Sequence, residues 1–512
     1  MAVTLASCEP RYGALQLQWS LVTGAEIAAT PAVNYGTVYI GSWDGYEYGL
    51  DEATGAQKWR TFLGQVTNPA CDTLGVTSSP LLINGTAYLG GGNDRWYALN
   101  GISGNPLWSI FVGSTATGHY NWSSPAALNG HAYVGVASLC DMPLVQGKLL
   151  RVNLATRQIV NTWKVVPDGQ VGGTIWTKPV VDAARNTVYV TTGNRADNST
   201  GNTQTHGEAL VAVDATTLAV KGSWSLPVSD PTPDADWGTG PTLFTDSLGR
   251  ALVSGANKNG ILYAFLRDNV SAGPVWSRRL AVAAAGSDPA AGGIYSNGYF
   301  DGQRLFYASG QTTVGGQSAV GSVRALDPRT GAIIWERALP SKTYGALTFA
   351  NGMLVVPSRS ALRLFDPATG EILYENAIPL YAAATVANGR LFIGDVNGRM
   401  RAYKYPASPG APAATTAAAS VALARGCQPA DGLSPSLAGA QVRVTGVETA
   451  APATVTVHSG DACSGAPVLR ATLRRGEASV LRVPRGLPAG GELSVASSRA
   501  VRLKLGLGRL AR

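Results

Sequence analysis

The chain has 512 residues, of which 45% are hydrophobic and 14% charged, with 62 Gly and 29 Pro; this is the composition of a turn-rich β protein with room for one large and one small domain. No run of about 20 apolar residues offers a transmembrane helix. The net charge of +8 is local, because nine Arg and one Lys against two Glu between Arg470 and Arg512 account for it; scattered among Val and Leu positions these arginines read as a solvated face, with a basic patch docking on an anionic surface or partner as the alternative, and no nucleic acid is expected.

In chain order, residues 1–13 lack a basic n-region with an apolar core, so no signal peptide is read there, and a trimmed upstream segment is one expectation. Leu15 to Trp19 then reads as the end of a repeat that lacks its own beginning. The first full copy has Thr30-Pro31-Ala32-Val33, Gly36 to Gly41, Asp44-Gly45, Leu50-Asp51, Thr54-Gly55 and Trp59. Matching aromatics follow at Trp108, Trp163, Trp224, Trp276, Trp335 and Tyr374. Thr37 to Ile40, Thr86 to Leu89 and Thr187 to Val190 read as short strands, with Asn84-Gly85 and Asn129-Gly130 as hairpin turns. The Asp51-x-x-Thr54-Gly55 step returns at Asp327 and Asp366, and in degraded form at Asn100, Asn153 and Asp214. Asp or Thr side chains bonding nearby backbone, with Gly supplying positive φ, suit a tight turn there.

Four short strands per repeat of roughly 40 to 60 residues predict an all-β fold, a β-propeller. The last repeat, Ala383 to Tyr405, lacks a terminal aromatic, and the orphan strand ending at Trp19 can supply it. Joining the two removes an open sheet edge and gives eight blades, with seven as the alternative count. The predicted organisation is a propeller over 14–405, a Pro/Ala/Thr-rich linker over 406–422, and a small, basic β-sandwich-like accessory domain over 423–512.

The five cysteines contain no C-x-x-C. Two fall in the propeller and two in the C-terminal segment, so Cys71–Cys140 and Cys427–Cys463 are the expected bridges, with Cys8 left over. Such bridges place the chain in an oxidising compartment; reduced, buried cysteines are the alternative. Sequons at Asn84, Asn121, Asn198 and Asn269 permit glycosylation.

Propellers bind ligands at one mouth of the central channel, so stretches that depart from the repeat are candidate site segments. They are Gly172 to Trp176, Thr192-Gly193-Asn194, Asp234-Ala235-Asp236-Trp237-Gly238 and Gly255 to Gly260. Each residue has an ordinary structural reading as well: blade packing for Trp176, a turn for Asn194, strand caps for Asp234 and Asp236, a hairpin tip for Lys258.

Together these stretches resemble the quinoprotein alcohol dehydrogenases, whose eight-bladed propellers hold pyrroloquinoline quinone and calcium. The stretch from Asn121-Trp122-Ser123-Ser124-Pro125 to Gly147 is most similar to the polyvinyl-alcohol-dehydrogenase-like branch. The resemblance implies that Trp176 floors the quinone, with Gly173, Thr174 and Lys258 also at the cofactor. It implies Asn194, Asp236 and Asp141 as calcium ligands, and Asp236 or Asp234 as catalytic base. Indole stacking suits a planar cofactor, oxygen ligands suit a hard ion, and a carboxylate can take an alcohol proton.

Departures from the pattern are the single Cys71 where the family places a vicinal Cys-Cys pair, the missing third-blade Glu, and no Arg near Gly75-Val76-Thr77. The absence of C-x-x-C-H implies a separate electron acceptor. Two readings follow. One is an extracytoplasmic dehydrogenase acting on small-molecule or polymeric alcohols. The other is a non-catalytic propeller of the same ancestry that binds a protein or polysaccharide. A monomer is the simplest assembly.

Overall fold

The computed structural model describes residues 15–405 except 70, 197–202 and 285–290, and beyond them the backbone of strands lying between 418 and 508. Two compact units divide at Pro409/Gly410. In the first, eight antiparallel sheets of the described residues follow one another as blades, seven of four strands and the third of five because His119–Tyr120 also pairs with His131–Ser138; their innermost strands begin at Ala32, Leu81, Ala126, Val180, Thr242, Tyr299, Thr348 and Thr385. The eighth blade takes its outer strand from the N-terminus: Gln16–Val22 pairs with Arg399–Lys404 from Gln16↔Lys404 to Val22↔Arg399. The count is therefore eight, and no sheet edge is left where the chain closes on itself.

The repeated aromatics hold neighbouring blades together by a specific dock. Trp19 donates Nε1–H to Glu52 O, Trp276 to Pro328 O and Trp335 to Pro367 O, each a carbonyl in the next blade's turn. Each ring covers that turn's glycine. A Cβ on Gly55 would lie 2.5 Å from Trp19, and one on Gly331 or Gly370 would lie 2.6 Å from Trp276 or Trp335. These glycines also have φ of +75°, +69° and +70°, so two constraints select glycine there. The turn itself is made by Asp51 Oδ1, which accepts from the N–H of Ala53 and Thr54; Asn100 and Asn153 do the same with an amide oxygen. Blades 3 and 4 carry Arg157 and Leu218 at positive φ where blades 1, 2, 6 and 7 have Gly55, Gly104, Gly331 and Gly370. The aromatics Trp163 and Trp224 stand two residues further along their strands there, and Trp224 packs on Tyr263 and Phe265 of blade 5 instead.

A second set of bonds runs around the channel. Just ahead of the inner strands, Ser78 Oγ donates to Ser123 O, Ser123 Oγ to Thr177 O, and Ser296 Oγ to Gly345 O. Each of these bonds crosses from one blade to the next, which satisfies carbonyls that no strand pairs.

The Cys71–Cys140 bridge is formed, with Cα atoms 6.2 Å apart. It joins the small hairpin Val66–Asn68/Asp72–Leu74 to the end of blade 3. Cys8 and Cys463 lie outside the described residues, as do the side chain of Cys427 and the sequon at Asn198. Asn121 is buried, and its amide donates to the carbonyls of Gly91, Asn93 and Arg95, so that sequon is a structural tie and not a surface acceptor. No helix among the described residues is long and apolar enough to cross a membrane.

Among the described residues the second unit has eight strands in two antiparallel sheets. One orders Ala418–Leu423, Val501–Gly508, Gln441–Gly446 and Ala478–Arg482; the other orders Gly426–Pro429, Leu493–Ser497, Ala453–Ser459 and Leu469–Leu473. Its first strand starts inside the stretch whose Ala-rich composition reads as linker.

Candidate functional site at the propeller mouth

In every blade the residue four places ahead of the inner strand lines a single cavity of about 420 Å³ on the propeller axis. Five of these eight equivalent positions are aromatic: Trp122, Trp176, Tyr295, Tyr344 and Tyr381. The others, Ala28, Thr77 and Gly238, are small. Trp43 adds a sixth aromatic from the first blade. Ring contacts run from Tyr295 to Tyr344 (5.6 Å), Tyr344 to Tyr381 (5.1 Å) and Tyr381 to Trp43 (6.1 Å). Trp176 is thus one of a ring of equivalent residues. A flat or ring-bearing ligand is what such a wall accepts.

Beside Trp176 stands a buried polar cluster built from blades 3, 4 and 5. In Asp234-Ala235-Asp236-Trp237 the side chains alternate. Ala235 and Trp237 are buried in the blade 4–5 core, which turns both carboxylates the other way, toward Lys258. The segment is pinned by Asn257 Nδ2 donating to Ala235 O (2.7 Å) and by Lys258 N–H donating to Asp236 O (2.9 Å). Lys258 Nζ then donates to both oxygens of Asp234 (2.9 and 2.8 Å) and to Asp236 Oδ2 (2.9 Å), and lies 5.7 Å from the centre of the Trp176 ring.

Asn194 follows the strand Thr187–Thr191. Its Nδ2 donates to Asp141 Oδ2 (3.1 Å) and to Asp234 Oδ1 (3.0 Å), joining three blades. Asp141 is held by its neighbour Cys140, since the two occupy successive left-handed positions at φ +54° and +55° next to the disulfide. Gly173 and Thr174 act through their backbones. Gly173 N–H donates to Asn194 O and Thr174 O accepts from Gly193 N–H, both at 2.7 Å. Gly193 leaves room for Asp236, whose Oδ1 would lie 2.9 Å from a Cβ at that position.

The electrostatics are uneven. Three carboxylates share one ammonium. Burial, reinforced by Asp141 and Asp234 against the opposing pull of Lys258, pushes Asp236 up to about 7. Its Oδ1 is buried and has no hydrogen-bond partner. Burial also raises Asp141, opposed by Lys258 and Asn194. Burial alone would lower Lys258, but Asp236 and Asp234 outweigh it and raise the ammonium above its usual range. Among the described residues no three His, Cys, Asp or Glu stand close enough to hold a metal unaided, because Asn194 and Lys258 lie between the acids.

The sequence singled out Asp141, Trp176, Asn194, Asp234, Asp236 and Lys258, and the fold brings these six together. It did not single out the tyrosines at 295, 344 and 381, Trp43 as a cavity residue, or Lys178. The signal is positional: the tyrosines stand four residues ahead of an inner strand and Lys178 two, while Trp43 follows the second strand of the first blade and shares neither offset.

The sequence family described as "Outer membrane protein assembly factor BamB" matches residues 16–173 and 258–405, more than half of the chain. The chain belongs to this family of quinone-type repeat propellers. The matched segments flank residues 174–257, the stretch carrying Trp176, Asn194, Asp234 and Asp236. A curated relative, the polyvinylalcohol dehydrogenase of Sphingopyxis sp. (strain 113P3), is 26% identical over 225 residues, which is 39% of this chain and 33% of that protein. The chain therefore spans about a third of that relative. Quinohemoprotein alcohol dehydrogenase from Comamonas testosteroni superposes with a TM-score of 0.61 at 18% identity, over 81% of each chain. BamB from Moraxella catarrhalis superposes with a TM-score of 0.53 at 16% identity, over 76% of this chain and 100% of that one. At these identities the likeness to solved structures shows the shared fold alone.

Proposed function

We propose that the protein is an extracytoplasmic quinoprotein-type dehydrogenase that oxidises primary or secondary alcohols, small or polymeric, with pyrroloquinoline quinone and calcium at the propeller mouth. The observation that carries this reading is Asp236. It is a buried carboxylate titrating near neutrality, with one oxygen on Lys258 and the other unpartnered, in a cluster whose lysine lies over Trp176. The Cys71–Cys140 bridge supports the compartment.

The residues fit the two groups. Three carboxylates against one ammonium leave a negative excess that a hard cation offsets, and Asn194 can offer its amide oxygen in place of its nitrogen. Asp141, Asn194 and Asp234 or Asp236 would hold the cation, and Trp176 with Lys258 would hold the quinone. When bound, the quinone supplies the electrophilic carbonyl that takes hydride from the alcohol carbon, chemistry that no side chain here provides.

The chain's own part is orientation and proton movement. In this reading Asp236 or Asp234, beside the cavity, is the base that takes the alcohol's hydroxyl proton; a carboxyl pushed up to about 7, as that of Asp236 is, suits a base working near neutral pH. Lys258 keeps Oδ2 of Asp236 engaged and so fixes that carboxylate's orientation. The aromatic ring excludes water from the wall against which the substrate lies. Electrons leave to a separate acceptor.

One observation favours a second reading, a non-catalytic propeller that binds a protein or polysaccharide. Lys258 already stands between Asp234 and Asp236, as an internal counter-ion would in a site that needs no metal. Reconstitution with pyrroloquinoline quinone and calcium separates the two. The dehydrogenase reading expects bound-quinone absorbance and alcohol-dependent dye reduction that Asp236→Asn abolishes. No quinone uptake at tens of micromolar would leave the scaffold reading.

A further inference from the structure

Two places after the aromatic ring, a second set of equivalent positions lines the same cavity: Thr30, Ser79, Ser124, Lys178, Asn297 and their alanine counterparts. In blades 2, 3 and 6 these side chains have a structural task. Thr30 N–H donates to Ser79 Oγ (2.8 Å), Ser79 N–H to Ser124 Oγ (2.9 Å), and Gly240 N–H to Asn297 Oδ1 (2.8 Å), each tying one blade to the next. A lysine ammonium has only donors and cannot take that part. Blade 4 nevertheless carries Lys178 there.

Among the described residues Lys178 is the only charged one lining the cavity, and no carboxylate lines it. It is solvent-accessible within the cavity, and its Nζ has no hydrogen-bond or ion-pair partner among the described residues. The protein packed around it lowers its pKa, and no charged group opposes that effect. The next blade has Gly240 at the matching position, so no side chain there competes for the space. Lys178 is exposed, so its ammonium is hydrated in the free protein and is available to an anionic group that enters the aromatic-walled cavity.

We propose that Lys178 is an anion anchor: the ligand accepted by the mouth carries a carboxylate-type anion that pairs with Nζ while its flat body lies against the aromatic ring. The inference stands whether or not the mouth holds a quinone. Where it does, the anion belongs either to the quinone or to the alcohol, and the test separates these sources.

Benzoate and its neutral analogue benzamide are titrated into the purified full chain and followed by tryptophan emission, since Trp43, Trp122 and Trp176 line the cavity. Benzoate is expected to bind about tenfold more tightly than benzamide, the scale of one charge-assisted bond. Lys178→Ser, which restores what blades 2 and 3 carry, should remove that advantage and leave benzamide binding unchanged. Lys178→Arg should keep it. Equal binding of the two probes by wild type, or an undiminished preference in Lys178→Ser at an unchanged melting temperature, would overturn the proposal. With pyrroloquinoline quinone as titrant, about tenfold weaker uptake by Lys178→Ser assigns the carboxylate to the quinone. Unchanged uptake, with KM raised for 4-(hydroxymethyl)benzoate and not for benzyl alcohol, assigns it to the substrate. If neither moves, the anchor is wrong. Failure of the dehydrogenase reading shows separately, as wild-type protein that takes up no quinone while still discriminating benzoate from benzamide.

Discussion

Nζ of Lys258 stands 2.9 Å from Oδ2 of Asp236, and the other oxygen of that carboxylate is buried without a partner. One ammonium therefore serves two neighbouring acids, Asp234 and Asp236, with Asp141 close enough to raise Asp236 further. Such an arrangement responds to pH and to added cations, and the responses can be measured on the protein before any turnover is sought.

Asp236 should make the protein less stable as pH rises. Its folded pKa of about 7 exceeds the ordinary 3.8, so the folded state holds a proton that the unfolded state gives up. Stability from this group is fully present below pH 3.8 and is lost as pH climbs toward and through 7. Urea melts across that range should show the fall in wild type and a shallower one in Asp236→Asn; identical slopes would contradict the assignment.

Removing the shared ammonium by Lys258→Met leaves three buried or half-buried acids unbalanced. The loss should be about 3 kcal/mol of stability at neutral pH. Calcium should raise the melting temperature of this variant more than that of wild type, because the cation then meets uncompensated carboxylates. A calcium response that is unchanged from wild type would argue against a cation corner.

Glu47 offers an independent electrostatic test away from the mouth. It is fully buried, neither carboxyl oxygen has a partner, and burial holds its pKa well above the usual value. Four residues before the corresponding turn, other blades carry Trp96, Leu149 and Leu210, so this acid occupies a core position. The raised pKa means that stability is lost as pH rises above 4.5. Glu47→Leu should stabilise the protein at pH 8 by on the order of 1–3 kcal/mol and do little in acid. A destabilised variant at both pH values would show that Glu47 has an unrecognised structural partner.

Ring closure depends on Trp19 lying over Gly55. Trp19→Ala should cost about 3–5 kcal/mol. Gly55→Ala should also destabilise, because its Cβ would meet the indole at 2.5 Å and its φ is +75°. Gly36→Ala is the control: φ is +68° there, but nothing lies within 4 Å of the new Cβ, so it should cost less. Equal losses would mean that backbone strain, and not the dock, selects the glycine.

The blade count and the closing strand were legible because six turns repeat Asp or Asn, four of them with Gly (after Asp51, Asn100, Asp327 and Asp366), and because Trp19 lacks a preceding strand of its own. The mouth was legible only in part. Trp176, Asn194, Asp234, Asp236 and Lys258 depart from the repeat and so attract notice, but Tyr295, Tyr344 and Tyr381 look like ordinary strand-flanking residues until the inner strands are placed. Lys178 hides in the same way, since its oddness is visible only against Ser79, Ser124 and Asn297 at equivalent positions. The two-residue shift of Trp163 and Trp224 was hidden because Arg157 and Leu218 take the positive-φ positions that glycine marks elsewhere.

The most direct measurement is the binding of pyrroloquinoline quinone to the purified chain with and without calcium, read from the quinone's own absorbance. Stoichiometric uptake that requires calcium, survives Lys178→Arg, and is lost in Trp176→Ala and Asn194→Ala is the predicted result. No uptake, or uptake indifferent to calcium and to both of those residues, would contradict a quinone-and-cation site at this mouth.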